Sequence, residues 1–173
     1  MDDLFIGSEA LREGTVANKH QFRTRFRALY PDVYLAGDAP PTLAQRTIGA
    51  WLWTRRRGVV AGEAAAAMHG AQWITDDIPI ELIWSNARPP DEISTRRDRL
   101  GPGESQLIAG LAVTTSERTA FDIGRLTGGE GGISRLDALG NATRFDRAAV
   151  KELVGRHRGS PGIPRLISAL GLV

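Results

Sequence analysis

Hydrophobic positions fall into short blocks along this chain, some at helical spacing and some in continuous runs, with glycine and proline between them. Residues 8–13 carry a short helical pattern that Ser8 is placed to cap and Gly14 to stop. A second helix is expected over residues 16–27, where Phe22 and Phe26 stand four apart on an inward face. Tyr30-Pro31-Asp32-Val33-Tyr34-Leu35 then joins a Pro-Asp turn to aromatic and β-branched residues, which predicts a small hairpin closing at Gly37-Asp38. After Pro40-Pro41, Thr42 and Gln45 form a capping box for a helix from Leu43 to about Arg56. Its Leu43, Ile48, Trp51, Leu52 and Trp53 make a broad apolar stripe, and Gly58 is the expected terminator.

Residues 61–70 form an alanine-rich helical stretch closed by Gly70, with His69 in its last turn as a dipole partner or packed residue. Three strand-like runs follow at 78–84, 92–99 and 105–113, the last passing Gly110 as a turn, and together they predict a small, mostly antiparallel sheet. From Thr115 the pattern becomes helical. Thr115 caps a helix to about Leu126, Gly128–Gly132 reads as a flexible break, and further helices are expected near 133–140, 146–158 and 164–170. No repeat at solenoid spacing and no heptad run occurs.

Composition narrows the chemistry. The 173 residues are 42% hydrophobic and 24% charged, with a formal charge of +2, so nucleic-acid binding has to come from a local patch. The absence of cysteine excludes disulfides, thiolate metal sites and cysteine nucleophiles. The three His stand at 20, 69 and 157, none in a metal-ligand spacing, and no P-loop, dinucleotide or serine-elbow fingerprint is present. No catalytic residue, metal or cofactor is expected. A restriction-type nuclease core is the strongest enzymatic alternative, because Asp77 and Glu81 offer acids. The position two beyond Glu81 is Ile83, however, where that chemistry needs a water-activating Lys. No run is long enough to span a bilayer and no secretion signal opens the chain, so a cytoplasmic protein is expected.

One window stands out by charge. Residues 15–30 carry Lys19, Arg23, Arg25 and Arg27 and no acid. With Phe22 and Phe26 inward, the outer face of the expected helix holds basic and amide side chains of the kind that grip duplex DNA. Lys19, Arg23, Arg25 and Arg27 suit phosphates, and His20, Gln21 and Thr24 suit base edges. Helix, glycine turn, basic helix and hairpin is the order of the latter part of a winged helix-turn-helix. The Arg55-Arg56-Arg57 triplet admits two readings, a second phosphate contact or favourable charge at a helix C-terminus.

The run Gly110-Leu111-Ala112-Val113-Thr114-Thr115-Ser116-Glu117-Arg118-Thr119-Ala120-Phe121-Asp122 resembles the strand-to-helix VTTPERTxxD signature of AbiEi-like antitoxins of abortive-infection systems, with Ser116 where Pro is usual. The Ala61–Gly70 segment ending in His-Gly adds to the likeness. More closely, residues 5–170 resemble the amino-terminal part of bacterial proteins that fuse this module to a PD-(D/E)xK nuclease related to very-short-patch-repair endonucleases. The chain stops at Val173, about where that nuclease would begin, so no catalytic residue carries over. The signature also has a purely structural reading, since Arg118 and Asp122 stand four apart on one helix that Thr115 caps.

The resemblance implies a winged-helix DNA-binding region, transcriptional autoregulation and neutralisation of a nucleotidyltransferase-like toxin. The expected architecture is α+β, with a reduced winged helix over residues 1–38 and an AbiEi-like region of helices and a small antiparallel sheet over 39–173. The expected function is that of a non-enzymatic DNA-binding regulator with double-stranded DNA as partner. Two alternatives stand beside it: a module that binds a toxin or nuclease protein, and an inactive, truncated relative of the nuclease fusion.

Overall fold

The hairpin around Pro31-Asp32 forms and recruits a third strand from the amino terminus. The structure, a computed structural model, describes residues 3–85 and 88–172. It begins β1 (Leu4–Ile6), α1 (Gly7–Arg12), α2 (Lys19–Arg25), β2 (Phe26–Tyr30) and β3 (Val33–Ala36). β3 lies in the middle, antiparallel to both neighbours, with Ile6 opposite Val33 and Phe26 opposite Ala36. Strand alternation gives this sheet two apolar faces. Leu4, Ile6, Val33 and Leu35 enter the main core, while Phe5 and Tyr34 join Phe22 and Phe26 in an aromatic cluster, with Phe22 stacked 4.5 Å from Tyr34.

Two local expectations are corrected here, and one strand is added. The basic helix ends at Arg25, because Phe26 and the residues after it pair with β3, and strand pairing overrides a weak helical preference. β1 is a strand that three residues of pattern are too few to predict. Ser8 does not cap α1; instead Asp32, held at φ 62° in the hairpin turn, accepts from Ser8 N at 2.9 Å and Ser8 Oγ at 2.6 Å.

Helix α3 (Leu43–Trp53) starts as the capping box predicts: Gln45 N donates to Thr42 Oγ1 at 3.3 Å and Thr42 N to Gln45 Oε1 at 3.0 Å. Its end is set by Arg55 and Arg56, both left-handed at φ 57° and 63°, and not by Gly58, whose amide donates to Thr54 Oγ1 at 2.8 Å. Next come β4 (Val59–Ala61), α4 (Gly62–Met68), β5 (Ile80–Ile83), β6 (Ile93–Arg96), β7 (Ser105–Ile108) and β8 (Leu111–Thr114). The five strands form one sheet in the order β6-β5-β4-β8-β7.

This sheet is mixed, not mostly antiparallel. β4 pairs antiparallel with β5, and β7 with β8, but β5–β6 and β4–β8 are parallel. The reason lies in two features. The connection through Pro89 and Pro90 crosses over instead of forming a hairpin, and β4, made of Val59 and Val60, assigned to no element, and the first residue of the expected 61–70 helix, occupies the centre of the sheet.

The remaining elements are α5 (Ser116–Leu126), α6 (Gly129–Thr143), α7 (Arg147–Arg156) and α8 (Ile163–Leu172). Thr115 Oγ1 caps α5 through Arg118 N at 3.3 Å, and Asp146 Oδ1 caps α7 through Ala148 N at 2.8 Å. Residues Arg118 to Arg125 of α5 are buried by α4, α6, α7 and α8. The break between α5 and α6 falls at Thr127 and Gly128, and Gly129 to Gly132 already belong to α6. Gly132 packs where a Cβ would come within 2.6 Å of Thr127 O, so the glycine permits a close start rather than flexibility.

The described residues thus contain eight helices and two sheets in an α+β arrangement. One apolar cluster joins Leu4, Val33 and Leu35 to Leu52, Val60 and Leu82, so the core continues across residue 38. No described helix is long and apolar enough to cross a membrane.

Candidate nucleic-acid interface

Helix α2 is anchored by Phe22, only 4% exposed in the aromatic cluster, which turns the helix's other side outward. Asn18 Oδ1 accepts from His20 N at 3.1 Å and so organises the first turn, which carries no acid. His20, Thr24 and Arg25 are exposed on this helix. Thr24 Oγ1 donates to His20 O at 3.3 Å. Lys19, Gln21 and Arg23 belong to the α2 backbone, and their side chains lie outside the described residues.

Arg27 is a correction. It stands on β2 opposite Leu35, not on the helix face, and its exposed guanidinium reaches Ala39 O at 3.4 Å. The seven candidates are therefore six on one helix and one on the adjoining hairpin strand. A cationic, hydroxyl- and imidazole-bearing surface of this kind is suited to phosphate and base-edge hydrogen bonds.

Each member of the arginine triplet has a partner within the fold. Arg55 reaches Asp32 Oδ2 at 2.6 Å, and Arg56 grips both Glu9 oxygens at 2.9 and 2.8 Å. Arg57 lies over the Trp84 ring, 4.9 Å from its centroid. Arg55 and Arg56 thus tie the hairpin turn and α1 to the end of α3. Two consecutive left-handed non-glycine residues are backbone strain, and these ion pairs are the local interactions that hold it. The Arg56 guanidinium hydrogen-bonded to Glu9 holds that carboxyl below its ordinary range despite opposing desolvation.

Beneath the strand-to-helix signature lies an ionic network that sequence reasoning largely missed. The Arg118–Asp122 pair is legible from its spacing, and it forms at 3.1 Å with both side chains 1% exposed. Its partners are not. Arg96 bridges Glu81 at 2.6 Å and Asp122 at 3.1 Å; Arg125 Nε donates to Asp122 Oδ1 at 3.0 Å; Asp98 bonds Arg96 and Arg125. Glu104 bonds Arg118, and His157 Nε2 lies 2.9 Å from both its oxygens.

The signal present in the sequence is the run Arg96-Arg97-Asp98-Arg99 and Arg125 one turn beyond Asp122. Thr114 and Thr119 complete the motif with an Oγ1–Oγ1 hydrogen bond of 2.7 Å, and His69 Nε2 meets Thr114 O at 2.8 Å.

Burial pushes the Asp122 carboxyl up, but the Arg96, Arg118 and Arg125 charges outweigh it and hold it below the ordinary aspartate range. Burial likewise raises Glu104, and hydrogen bonds from His157 and Arg118 reverse the sign. Glu81, one of the two acids of the nuclease alternative, is neutralised by Arg96, and Asp77 accepts from the Thr75 hydroxyl. Among the described residues no group of three or more His, Asp or Glu is placed to hold a metal ion. No family model matches this chain, and no curated protein matches it.

Proposed function

We propose that the chain is a non-enzymatic DNA-binding regulator of antitoxin type, docking α2 on duplex DNA with the β2–β3 hairpin as a wing beside it. The observation that carries this reading is the element order. Two helices separated by a turn are followed at once by a hairpin whose second strand pairs with a strand preceding both helices, the layout of a winged helix-turn-helix lacking its first helix. Exposed His20, Thr24 and Arg25 on an acid-free helix support it further. Autoregulation of transcription and neutralisation of a nucleotidyltransferase-like toxin extend the reading and rest on the resemblance of the signature.

The test is the salt dependence of duplex binding. Replacing Arg23 and Arg25 by Ala lowers the slope of log K against log salt by about 0.9 for each phosphate that is no longer neutralised, and weakens binding to all sequences alike. An unchanged slope removes these residues from the interface.

A second reading is favoured by Trp73. This residue is 96% exposed, at φ 66°, on the rim of a cavity of about 530 Å³ between the 72–78 segment and α6. An exposed indole beside an open cavity offers apolar area that a partner can bury, and the partner in this reading is a toxin or nuclease protein. Loss of co-purification of a neighbouring gene product on Trp73→Ala supports it; retention counts against it.

A further inference from the structure

The acids of the ionic network are each shared by several cations. Asp98 and Asp122 are both contacted by Arg96, Arg118 and Arg125. Glu104 is contacted by Arg118, by Arg156 at 3.3 Å and by His157. A carboxylate only accepts, so His157 Nε2 carries its hydrogen and donates there. On its solvent side the network opens into a cavity of about 240 Å³ between the 98–99 segment and the turn at 156–160.

Buried Arg118 borders this opening, and Arg99, Arg156 and Arg158 stand around it. Arg99 and Arg158 are exposed and form no ion pair with any described acid. Arg156 is half exposed, and its acid, Glu104, is already engaged. Asp98 is the one acid in the wall, and three guanidiniums claim it. The lining of the opening therefore carries four arginines, Arg99, Arg118, Arg156 and Arg158, against one acid, Asp98.

We propose that this opening is a binding site for a phosphate group. Arginines brought to one opening from separate chain segments suit a tetrahedral, multiply charged anion, whereas a planar carboxylate is saturated by one arginine fork. The cavity holds the group together with part of what bears it. The bearer is either a small phosphorylated molecule, such as a nucleotide, or a nucleic-acid backbone. The site involves no residue of α2 and stands independently of the operator-binding reading.

The experiment titrates the full chain with inorganic phosphate, adenosine monophosphate and a short duplex of arbitrary sequence, against chloride at matched ionic strength. It follows the amide resonances of residues 98–99 and 156–160. Saturable shifts confined to these residues are expected with phosphate. The exposed double variant Arg99→Gln, Arg158→Gln keeps the wild-type melting temperature and binds phosphate about tenfold weaker or worse.

Shifts with adenosine monophosphate but not duplex assign the site to a small phosphorylated ligand. The same shifts with duplex, displaced by inorganic phosphate, assign it to a nucleic-acid backbone. Arg23→Ala with Arg25→Ala leaves the phosphate shifts unchanged, which separates this site from α2. Absence of saturable shifts, equal shifts with chloride, or undiminished phosphate binding by the double variant overturns the proposal.

Discussion

Replacing Asp122 by Asn removes one charge and almost no volume from the most buried part of the ionic network. Its carboxylate meets Arg96 at 3.1 Å, Arg118 at 3.1 Å and Arg125 at 2.9 Å, and it is 1% exposed. The amide keeps one acceptor but turns an N–H toward guanidiniums that have nothing to accept it. Breaking one side of a buried ion pair costs about 3–5 kcal/mol, because the remaining charges stay desolvated.

For a chain of this length that is roughly 6–20 °C in melting temperature. Paired urea and thermal denaturation of wild type and Asp122→Asn near neutral pH measures it. The pH dependence gives a second check. The folded-state Asp122 carboxyl titrates below its unfolded value of about 3.9, so its stabilisation is complete above that pH and is lost as pH falls through the folded value. The gap between the proteins therefore narrows on acidification. A cost under about 1 kcal/mol near neutral pH, or a gap that stays constant into acid, refutes the assignment of Asp122 as the network's central acid.

Other substitutions test the joints of the fold. The Arg56–Glu9 pair is half exposed and contributes about 0.2–1 kcal/mol, whereas a left-handed non-glycine residue costs about 1–2 kcal/mol. Arg56→Ala therefore destabilises slightly, and Arg56→Gly is more stable than Arg56→Ala by about 1 kcal/mol in urea unfolding, the reverse of their helix propensities. Gly162, at φ 84°, packs so closely that a Cβ would collide with Arg125 O. Gly162→Ala costs more than about 2 kcal/mol or prevents folding, seen as reduced soluble yield or a lowered unfolding midpoint.

Much of the local structure is legible because it is written in short-range signals. The Thr42–Gln45 capping box, the Thr115 cap, the 105–114 hairpin and the Arg118–Asp122 pair all depend on residues within a few positions of one another. What escapes depends on distant partners. β4 is three apolar residues with no measurable period, and only the flanking β5 and β8 make it a central strand. The glycines at 128–132 carry a turn signal, yet close contact with Thr127 O lets them begin a helix.

The candidate site divides in the same way. The basic window of α2 is contiguous in sequence, while Arg27 falls on a strand where its local pattern predicts helix, because β2 is dictated by its pairing with β3. The ionic network draws Glu81, Arg96, Asp98, Glu104 and His157 from separate segments, and only the Asp122 neighbours are near enough in sequence to be seen. The arginine triplet shows the same limit: its composition suggests DNA or a helix dipole, while the partners Glu9 and Asp32 of Arg56 and Arg55 stand far away in sequence, on α1 and in the β2–β3 turn.

The proposal that α2 reads duplex DNA is tested by fluorescence anisotropy of the purified protein against its own upstream DNA and a shuffled duplex at two salt concentrations. Tighter binding to the upstream sequence, with a steep loss at higher salt, is expected. Equal binding to both duplexes, or none to either, contradicts it.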